Sequence, residues 1–207
     1  MPISSYHHVF QPGTDASAPP LLLLHGTGGD EHDLLRLGHT LSPSSALLSP
    51  RGDVSEGGAR RFFARLAEGV FDPAEVTRRT HALADWLAAA SAKYSLDPAR
   101  LTAVGFSNGA NIAATLLLLR PATLGAAVML RPMVVLDQPA APGSLAGKRA
   151  LLLNGSFDPI VPADHQARLA ALLRAGGADV TAQSFPASHN LTPPDIATAQ
   201  AWLRPKP

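Results

Sequence analysis

The stretch LTAVGFSNGANIAATLLLLR, residues 101–120, places one serine between two glycines at the junction of two apolar segments. The first segment has the short apolar pattern of a buried strand, and the Ala- and Leu-rich run that follows has the pattern of a helix. Gly105, Ser107 and Gly109 fit G-x-S-x-G, in which glycines flank a strained strand-to-helix turn because side chains there would collide with neighbouring backbone. Such a turn lifts a hydroxyl clear of the sheet, so Ser107 is a candidate nucleophile. The alternative is a serine that only caps the helix.

Short apolar runs alternate with helical patterns along the chain. We expect strands within residues 20–26, 46–52, 100–107, 125–132, 149–156 and 179–186, and an edge strand within residues 6–13. We expect helices from Asp72-Pro73, after Ser107, from about Ala163 to Arg174, and from Thr192. This order predicts a single α/β domain over residues 1–207, with a mostly parallel central sheet and helices on both faces. Functional groups of such sheets gather at the carboxyl ends of the strands.

Composition and charge narrow the classes of function. The 207 residues carry a formal net charge of +1 and no block of like charge, which argues against a nucleic-acid partner. The absence of cysteine excludes thiolate catalysis, and the lack of a His-x-x-x-His pattern or carboxylate cluster disfavours a metal. No apolar run is long enough to span a bilayer and the N-terminus does not resemble a signal peptide, so a cytoplasmic location is expected.

A catalytic serine needs a base to take its proton and an acid to orient that base. In a sheet of this kind the expected chain order is Ser, then Asp or Glu, then His. Asp158 lies in GSFDPIVP after one strand, and His189 lies in FPASHNLTPP between the last strand and the last helix. Both should therefore meet Ser107 at the same edge of the sheet. Asp137, after the preceding strand, and Asp164, at a helix start, are the alternative acids.

The negatively charged oxygen of a tetrahedral intermediate needs hydrogen-bond donors. One candidate is the backbone amide of Asn108 at the start of the helix, and the other is the backbone amide of Thr27 in the loop HGTGGD. Small neighbours in this loop let an amide approach a substrate closely. A phosphate-binding role is disfavoured because the glycine spacing does not match G-x-G-x-x-G and no Lys-Ser or Lys-Thr follows. His25 is expected to hold the turn rather than to react.

The segment 51–73 is long for a connection from a strand to a helix and holds three phenylalanines. We expect a partly helical excursion whose aromatic side chains pack on the core. In the alternative interpretation, Phe62 and Phe63 form one wall of an acyl pocket and bind substrate. Only a short loop separates the strands within 125–132 and 149–156, so no separate cap domain fits there and the site should be open.

Four motifs together resemble the phospholipase/carboxylesterase branch of the α/β-hydrolases: LLLLHGTGGDEHDLL, GFSNGA, LLNGSFDPIVP and SHNLT. The resemblance implies the α/β-hydrolase fold and a serine hydrolase that cleaves carboxylic esters through an acyl-enzyme, with no cofactor and no metal. By this resemblance Ser107 is the nucleophile, Asp158 the acid and His189 the base. The backbone amides of Thr27 and Asn108 bind the oxyanion.

The resemblance specifies the type of reaction more narrowly than it specifies the substrate. Thioesterases of this branch usually carry an apolar residue in place of Thr27 and Gln in place of Asn108, and the HGTGGDE loop is closer to the bacterial esterases. The expected substrate is a small-molecule ester of short to medium acyl chain, because an open pocket buries only a few methylenes. An acyl thioesterase, a lysophospholipase and a non-enzymatic binding protein on this fold are the alternatives. Since the branch is often dimeric, a homodimer is a further expectation.

Overall fold

The computed structural model describes residues 5–204, and a seven-stranded sheet forms its centre. The strands are β1 (His8–Gln11), β2 (Leu21–Leu24), β3 (Leu47–Pro50), β4 (Val54–Glu56), β5 (Ala59–Arg61), β6 (Thr102–Phe106), β7 (Ala126–Leu130), β8 (Arg149–Gly155) and β9 (Asp179–Phe185). The order across the sheet is β1-β3-β2-β6-β7-β8-β9, with β1 antiparallel to β3 and the other neighbouring pairs parallel. β4 and β5 form a separate hairpin. The predicted mostly parallel α/β sheet with an N-terminal edge strand is confirmed.

The central strand β2 shows why the sheet is covered on both faces. Its sequence is LLLL, and all of these side chains are buried. Because alternate residues of a strand point to opposite faces, Leu22 and Leu24 enter one hydrophobic cluster, and Leu21 and Leu23 enter the other. A fully buried leucine stabilises a fold by about 1.5–3 kcal/mol. A polar residue on either face of β2 would therefore weaken one of the two layers.

In the part of the chain that the structure describes, five α-helices form these layers. They are α1 (Leu35–Leu41), α2 (Pro73–Tyr94), α3 (Asn108–Leu119), α4 (His165–Ala175) and α5 (Pro193–Leu203). α2, α3 and α4 contribute to the cluster on the Leu22 face, and α1 and α5 contribute to the cluster on the Leu21 face. Between residues 5 and 204, no helix combines the length and the apolar character needed to cross a bilayer.

Capping residues fix where two of the predicted helices begin. Asp72 accepts a hydrogen bond from the backbone N–H of Ala74 at 2.9 Å at the start of α2. At the start of α5, Asp195 Oδ2 accepts from the backbone N–H of Thr192 at 2.8 Å. α1 was not predicted from the sequence because it lacks such a signature: Leu34 precedes it and makes no side-chain capping bond.

The segment 51–73 differs from the expected partly helical excursion. The structure has the β4–β5 hairpin there, followed by an irregular segment up to the start of α2, and no helix. Gly57 and Gly58 form the hairpin turn with φ of 57° and 89°, which residues with side chains rarely adopt. Paired glycines with positive φ are a strong hairpin signal because their twist matches that of the flanking strands. The helical part of the expectation is therefore wrong, whereas the packing of aromatic residues on the core is confirmed.

The topology brings the candidate site residues to one edge of the sheet. Thr27 follows β2, Ser107 follows β6, Asp158 follows β8 and His189 follows β9. Because these strands are parallel, their carboxyl ends lie side by side and the loops that follow them can converge.

Candidate active site

Ser107 occupies the sharp turn between β6 and α3. Its backbone angles, φ 52° and ψ −114°, are strained for a residue with a side chain. A Cβ on Gly105 would collide with the carbonyl oxygen of Gly109, and a Cβ on Gly109 would collide with the carbonyl oxygen of Leu24. The two glycines therefore let the first turn of α3 pack directly against the strand ends. This is the turn that G-x-S-x-G predicts.

The Ser107 hydroxyl and the Asp158 carboxylate lie on opposite sides of the His189 ring. His189 Nε2 is 2.9 Å from Ser107 Oγ, and His189 Nδ1 is 2.8 Å from Asp158 Oδ2. Because an ionised carboxylate can only accept hydrogen bonds, the proton of a neutral imidazole lies on Nδ1 and Nε2 accepts from the hydroxyl. The His189 ring also packs on Phe106, with 5.4 Å between ring centroids.

The backbone around Asp158 fixes the orientation of its carboxylate. Asp158 Oδ1 accepts hydrogen bonds from the backbone N–H groups of Ile160 at 2.8 Å and Val161 at 3.2 Å. Oδ2 is then left to face His189, and the side chain is only 1% exposed. Hydrogen bonds from backbone N–H groups to an ionised carboxylate are stronger than neutral ones, so the geometry is well defined before a substrate arrives.

The two alternative acids lie elsewhere. The exposed carboxylates of Asp137 and Asp164 both pair with Arg168, at 2.9 and 3.3 Å. Within the part of the chain that the structure describes, neither forms a hydrogen bond with His189. The geometry therefore favours Asp158 as the partner of the histidine.

Thr27 and Asn108 border the cleft beside Ser107. Asn108 is the first residue of α3, where a backbone N–H has no partner within the helix. Among residues 5–204, no hydrogen bond uses the backbone N–H of Thr27 or Asn108. Both amides are therefore able to donate to a bound molecule.

His25 and Glu31 anchor the loop that carries Thr27. His25 Nε2 accepts from the backbone N–H of Gly52 at 2.9 Å, so Nδ1 carries the proton and donates to the Gly26 carbonyl at 2.6 Å. Burial lowers the pKa of His25, which favours this neutral form. At the other end of the loop, the hydrogen bonds from Arg51 lower the pKa of Glu31 to about 2, and Arg51 Nη2 lies 2.6 Å from Glu31 Oε1.

Arg61 is a site residue to which the sequence pattern assigns no role. Its side chain is 4% exposed, and Nη1 donates to the hydroxyl of Thr27 at 2.7 Å while Nε donates to the Phe63 carbonyl at 3.0 Å. It ties the hairpin to the Thr27 loop. Because 34 positions separate Arg61 from Thr27, no local pattern could have revealed this contact.

A cleft of about 200 Å³ opens beside Ser107. Its apolar lining residues are Phe71, Phe106, Met133 and Ile160, and its charged ones are Arg61, Arg65 and Glu68. Ligand pockets for drug-sized molecules usually measure about 300–1,000 Å³, so this cleft suits a small group. No group of three His, Cys, Asp or Glu residues between positions 5 and 204 is placed to bind a metal ion.

Phe62 and Phe63 do not line this cleft. They are 1% and 0% exposed and belong to the core on the α2–α3 face. The Phe62 ring packs on His25 at 4.8 Å between ring centroids, and Phe63 packs edge-on against Phe71 at 5.6 Å. The interpretation of Phe62 and Phe63 as substrate-binding residues is therefore wrong: burial of these large rings stabilises the core. Phe71 is the aromatic residue of the segment that reaches the cleft.

Comparison with known proteins finds a family model that matches the larger part of the chain. Residues 68–205 match the family model described as Phospholipase/Carboxylesterase, and this range includes Ser107, Asp158 and His189. A protein named as a hydrolase, MhqD of Bacillus subtilis (strain 168), is 39% identical over 197 residues, which cover 95% of this chain and 97% of that protein.

Two solved carboxylesterases have similar structures over nearly their whole length. The enzyme from Bacillus cereus superposes with a TM-score of 0.93 at 42% identity, covering 97% of this chain and 94% of that chain. The enzyme from Mesorhizobium loti superposes with a TM-score of 0.85 at 34% identity, covering 92% of this chain and 90% of that chain. The similarity thus extends over nearly the whole fold.

Proposed function

The chain belongs to the phospholipase/carboxylesterase family, and on this premise we propose that it is a serine esterase with Ser107 as its nucleophile. The observation that carries the proposal is the hydrogen-bonded order of Ser107, His189 and Asp158, with contacts of 2.9 and 2.8 Å. Geometry of this kind activates a hydroxyl that is otherwise a poor nucleophile. The two similar carboxylesterases support an ester as the substrate.

The first half of the reaction forms an acyl-enzyme. As Ser107 Oγ attacks the carbonyl carbon of the ester, His189 Nε2 takes the hydroxyl proton. The carbonyl oxygen becomes an oxyanion, and Asp158 stabilises the imidazolium through Nδ1. When the intermediate collapses, the bond between the carbonyl carbon and the alkoxy oxygen breaks, and His189 gives its proton to the departing alcohol. The acyl group is then esterified to Ser107.

The second half releases the acid. Water enters in place of the alcohol, and His189 Nε2 takes one of its protons as the oxygen attacks the acyl carbon. Collapse of the second tetrahedral intermediate breaks the bond to Ser107 Oγ, and His189 returns the proton to that oxygen. This half releases a carboxylic acid and the free enzyme, so the whole cycle converts one ester and one water into an alcohol and an acid.

The free amides of Thr27 and Asn108 support their assignment as donors to the oxyanion. Both border the cleft next to the nucleophile, and neither N–H is used by the hydrogen bonds of residues 5–204. Donors that are already oriented stabilise developing charge without reorganising during the reaction. The bonds from Arg61 to the Thr27 hydroxyl and from His25 to the Gly26 carbonyl hold the first donor in place.

We expect Thr27→Pro to lower turnover by a factor of about 10²–10³, because proline has no N–H to offer to the oxyanion. Thr27→Ser is the matched control and should retain nearly full activity, since it keeps the amide and the hydroxyl that accepts from Arg61. Thr27→Val keeps only the amide and should remain within a few-fold of the parent. Steady-state hydrolysis of p-nitrophenyl acetate measures all three variants. A loss in Thr27→Val as large as that in Thr27→Pro would show that the hydroxyl, and not the amide, matters.

The size of the cleft supports short to medium acyl chains. Each methylene that is buried contributes about 0.8 kcal/mol, or roughly a fourfold gain in kcat/KM if the transition state benefits fully. A cleft of about 200 Å³ can bury only a few methylenes. Further carbons stay in water and add nothing.

We therefore expect kcat/KM for p-nitrophenyl esters to rise over the first few acyl carbons and then to level off or fall. Phe71→Ala should flatten this rise and leave acetyl ester hydrolysis unchanged, because Phe71 lines the cleft. Leu66→Ala is the control: Leu66 lies on the same segment, is 73% exposed and does not line the cleft. A rate that keeps rising through palmitoyl esters would instead favour the lysophospholipase or thioesterase alternatives.

A direct comparison of substrates tests the proposed function. Hydrolysis of p-nitrophenyl butyrate should show an initial burst of p-nitrophenol when deacylation is the slower step, and butyryl thioester should be cleaved less efficiently. A higher kcat/KM for the thioester would make the chain a thioesterase, whereas no hydrolysis of either class would favour a binding protein. A cytoplasmic location, a homodimer and a single domain over residues 1–207 stay predictions from the sequence.

A further inference from the structure

We propose that the buried ion pair between Arg131 and Asp195 is a positioning device that holds His189 at hydrogen-bond distance from Ser107. The inference rests on the proposed function, in which His189 is the base. It assigns a role to a charged pair that lies outside the hydrogen-bonded chain of Ser107, His189 and Asp158.

The guanidinium of Arg131 binds the backbone on both sides of His189. Its Nε donates to the carbonyl oxygen of Ser188 at 3.2 Å, and its Nη2 donates to the carbonyl oxygen of Asn190 at 2.8 Å. These residues are the immediate chain neighbours of His189. A shift of the guanidinium therefore moves the backbone immediately before and shortly after the histidine.

The same guanidinium is anchored to the sheet and to α5. Nη1 donates to the Leu153 carbonyl on β8 at 3.1 Å and to Asp195 Oδ1 at 2.8 Å, and Nη2 donates to Asp195 Oδ2 at 2.7 Å. Asp195 in turn accepts from the backbone N–H of Thr192 at 2.8 Å and from its hydroxyl at 2.6 Å. The pair thus joins the end of β8, the loop with His189 and the first turn of α5.

Burial makes this arrangement rigid. The side chains of Arg131 and Asp195 are both 0% exposed, so water cannot replace a lost contact. Burial raises the pKa of Asp195, but the hydrogen bonds from Arg131 and Thr192 outweigh it, and the net pKa lies below its ordinary value. The carboxylate therefore stays ionised and keeps both guanidinium contacts.

The backbone of Arg131 supports a specific need for its side chain. Its φ is 58°, in the left-handed region that glycine adopts more easily than any other residue. Its N–H donates to the Leu153 carbonyl at 2.7 Å, which holds this turn directly after β7. An arginine at a position that suits glycine indicates that the contacts of the guanidinium offset the cost of the strained backbone.

Arg131→Lys is the primary test, because lysine keeps the charge and much of the length but loses the planar fork. Its ammonium cannot bind the Ser188 carbonyl, the Asn190 carbonyl and the carboxylate of Asp195 with the same geometry. We expect kcat for p-nitrophenyl butyrate to fall on the order of 10- to 100-fold, as small displacements of catalytic groups do, with KM changed less than about twofold. In proton NMR, the downfield signal of His189 Nδ1–H should broaden or vanish.

Arg149→Lys is the matched control. Arg149 holds the other end of α5 by donating to the Trp202 carbonyl at 2.8 Å and by stacking on the Trp202 ring. The substitution loosens the same helix without touching the loop of His189. We expect it to lower the midpoint of denaturant unfolding but to leave kcat and the His189 proton signal unchanged.

For each variant, kcat is divided by the fraction of folded molecules, which the unfolding curves give. Asp195→Asn is a second variant in case Arg131→Lys does not fold. Asp195→Asn should lower kcat at unchanged KM, because the guanidinium loses its ionic anchor. The proposal would be overturned if a folded variant kept the parental kcat and an intact His189 signal. It would also be overturned if neither variant folded, because the pair would then be purely structural. Retained hydrolysis in Ser107→Ala would instead refute the proposed function itself.

Discussion

Ser107→Ala should lower kcat for p-nitrophenyl butyrate by a factor on the order of 10⁶, because loss of the nucleophile removes the acyl-enzyme route. The residual rate comes from the oxyanion donors and from substrate binding, which act without the hydroxyl. We expect the fold to be retained, since alanine keeps the Cβ and Ser107 makes no side-chain capping bond to α3. Far-UV circular dichroism and the unfolding midpoint check this point.

Ser156→Ala is the matched control for this experiment. Ser156 lies on the loop of Asp158, and its exposed hydroxyl donates to the Phe185 carbonyl at 3.1 Å. Its removal takes away a serine hydroxyl near the site but leaves the hydrogen-bonded chain intact, so turnover should stay near that of the parent. Substantial hydrolysis by purified Ser107→Ala would contradict the assignment of the nucleophile.

Asp158→Asn should lower turnover by a factor on the order of 10⁴ while the protein stays folded. The reason lies in the orientation of the carboxylate. The backbone N–H groups of Ile160 and Val161 donate to Oδ1, so the asparagine oxygen is expected to take that place and its NH₂ group to face His189. The imidazole must then accept at Nδ1 and carry its proton on Nε2. In that tautomer it cannot take the proton of Ser107.

Asp137→Asn is the control for the acid. Asp137 pairs with Arg168 on the surface at 2.9 Å, so its loss should change kcat/KM less than about twofold and stability by about 0–1 kcal/mol. Steady-state kinetics of the two variants separate the assignments. If Asp137→Asn shows the large loss and Asp158→Asn does not, Asp158 is not the acid.

Much of the fold can be predicted from the sequence because its signals are local. Runs such as LLLL in β2 identify strands buried on both faces, and Asp72 identifies the start of α2. The G-x-S-x-G pattern is also local in the sequence, although the backbone that requires Gly109 lies at Leu24 on the adjacent strand. The order of Ser107 before the later acid and base then limits their candidates to a few loops.

Contacts between distant parts of the chain are what local patterns miss. Arg131 and Asp195 are 64 positions apart, and the sequence shows Arg131 only as an arginine at the end of an apolar run. The hairpin does have a local signal in the paired glycines Gly57 and Gly58, both of which have positive φ. The packing of this irregular segment against the whole core determines which of its phenylalanines faces the cleft.

Covalent labelling with a fluorophosphonate tests the assignment of the nucleophile most directly, because only an activated serine reacts rapidly with this probe. The native chain is treated with the probe, its intact mass is measured, and the modified residue is located by peptide mapping. We predict one adduct per chain, on Ser107, and no adduct in Ser107→Ala under the same conditions. An adduct on another residue, or labelling that persists at the same rate in Ser107→Ala, would contradict a mechanism through Ser107.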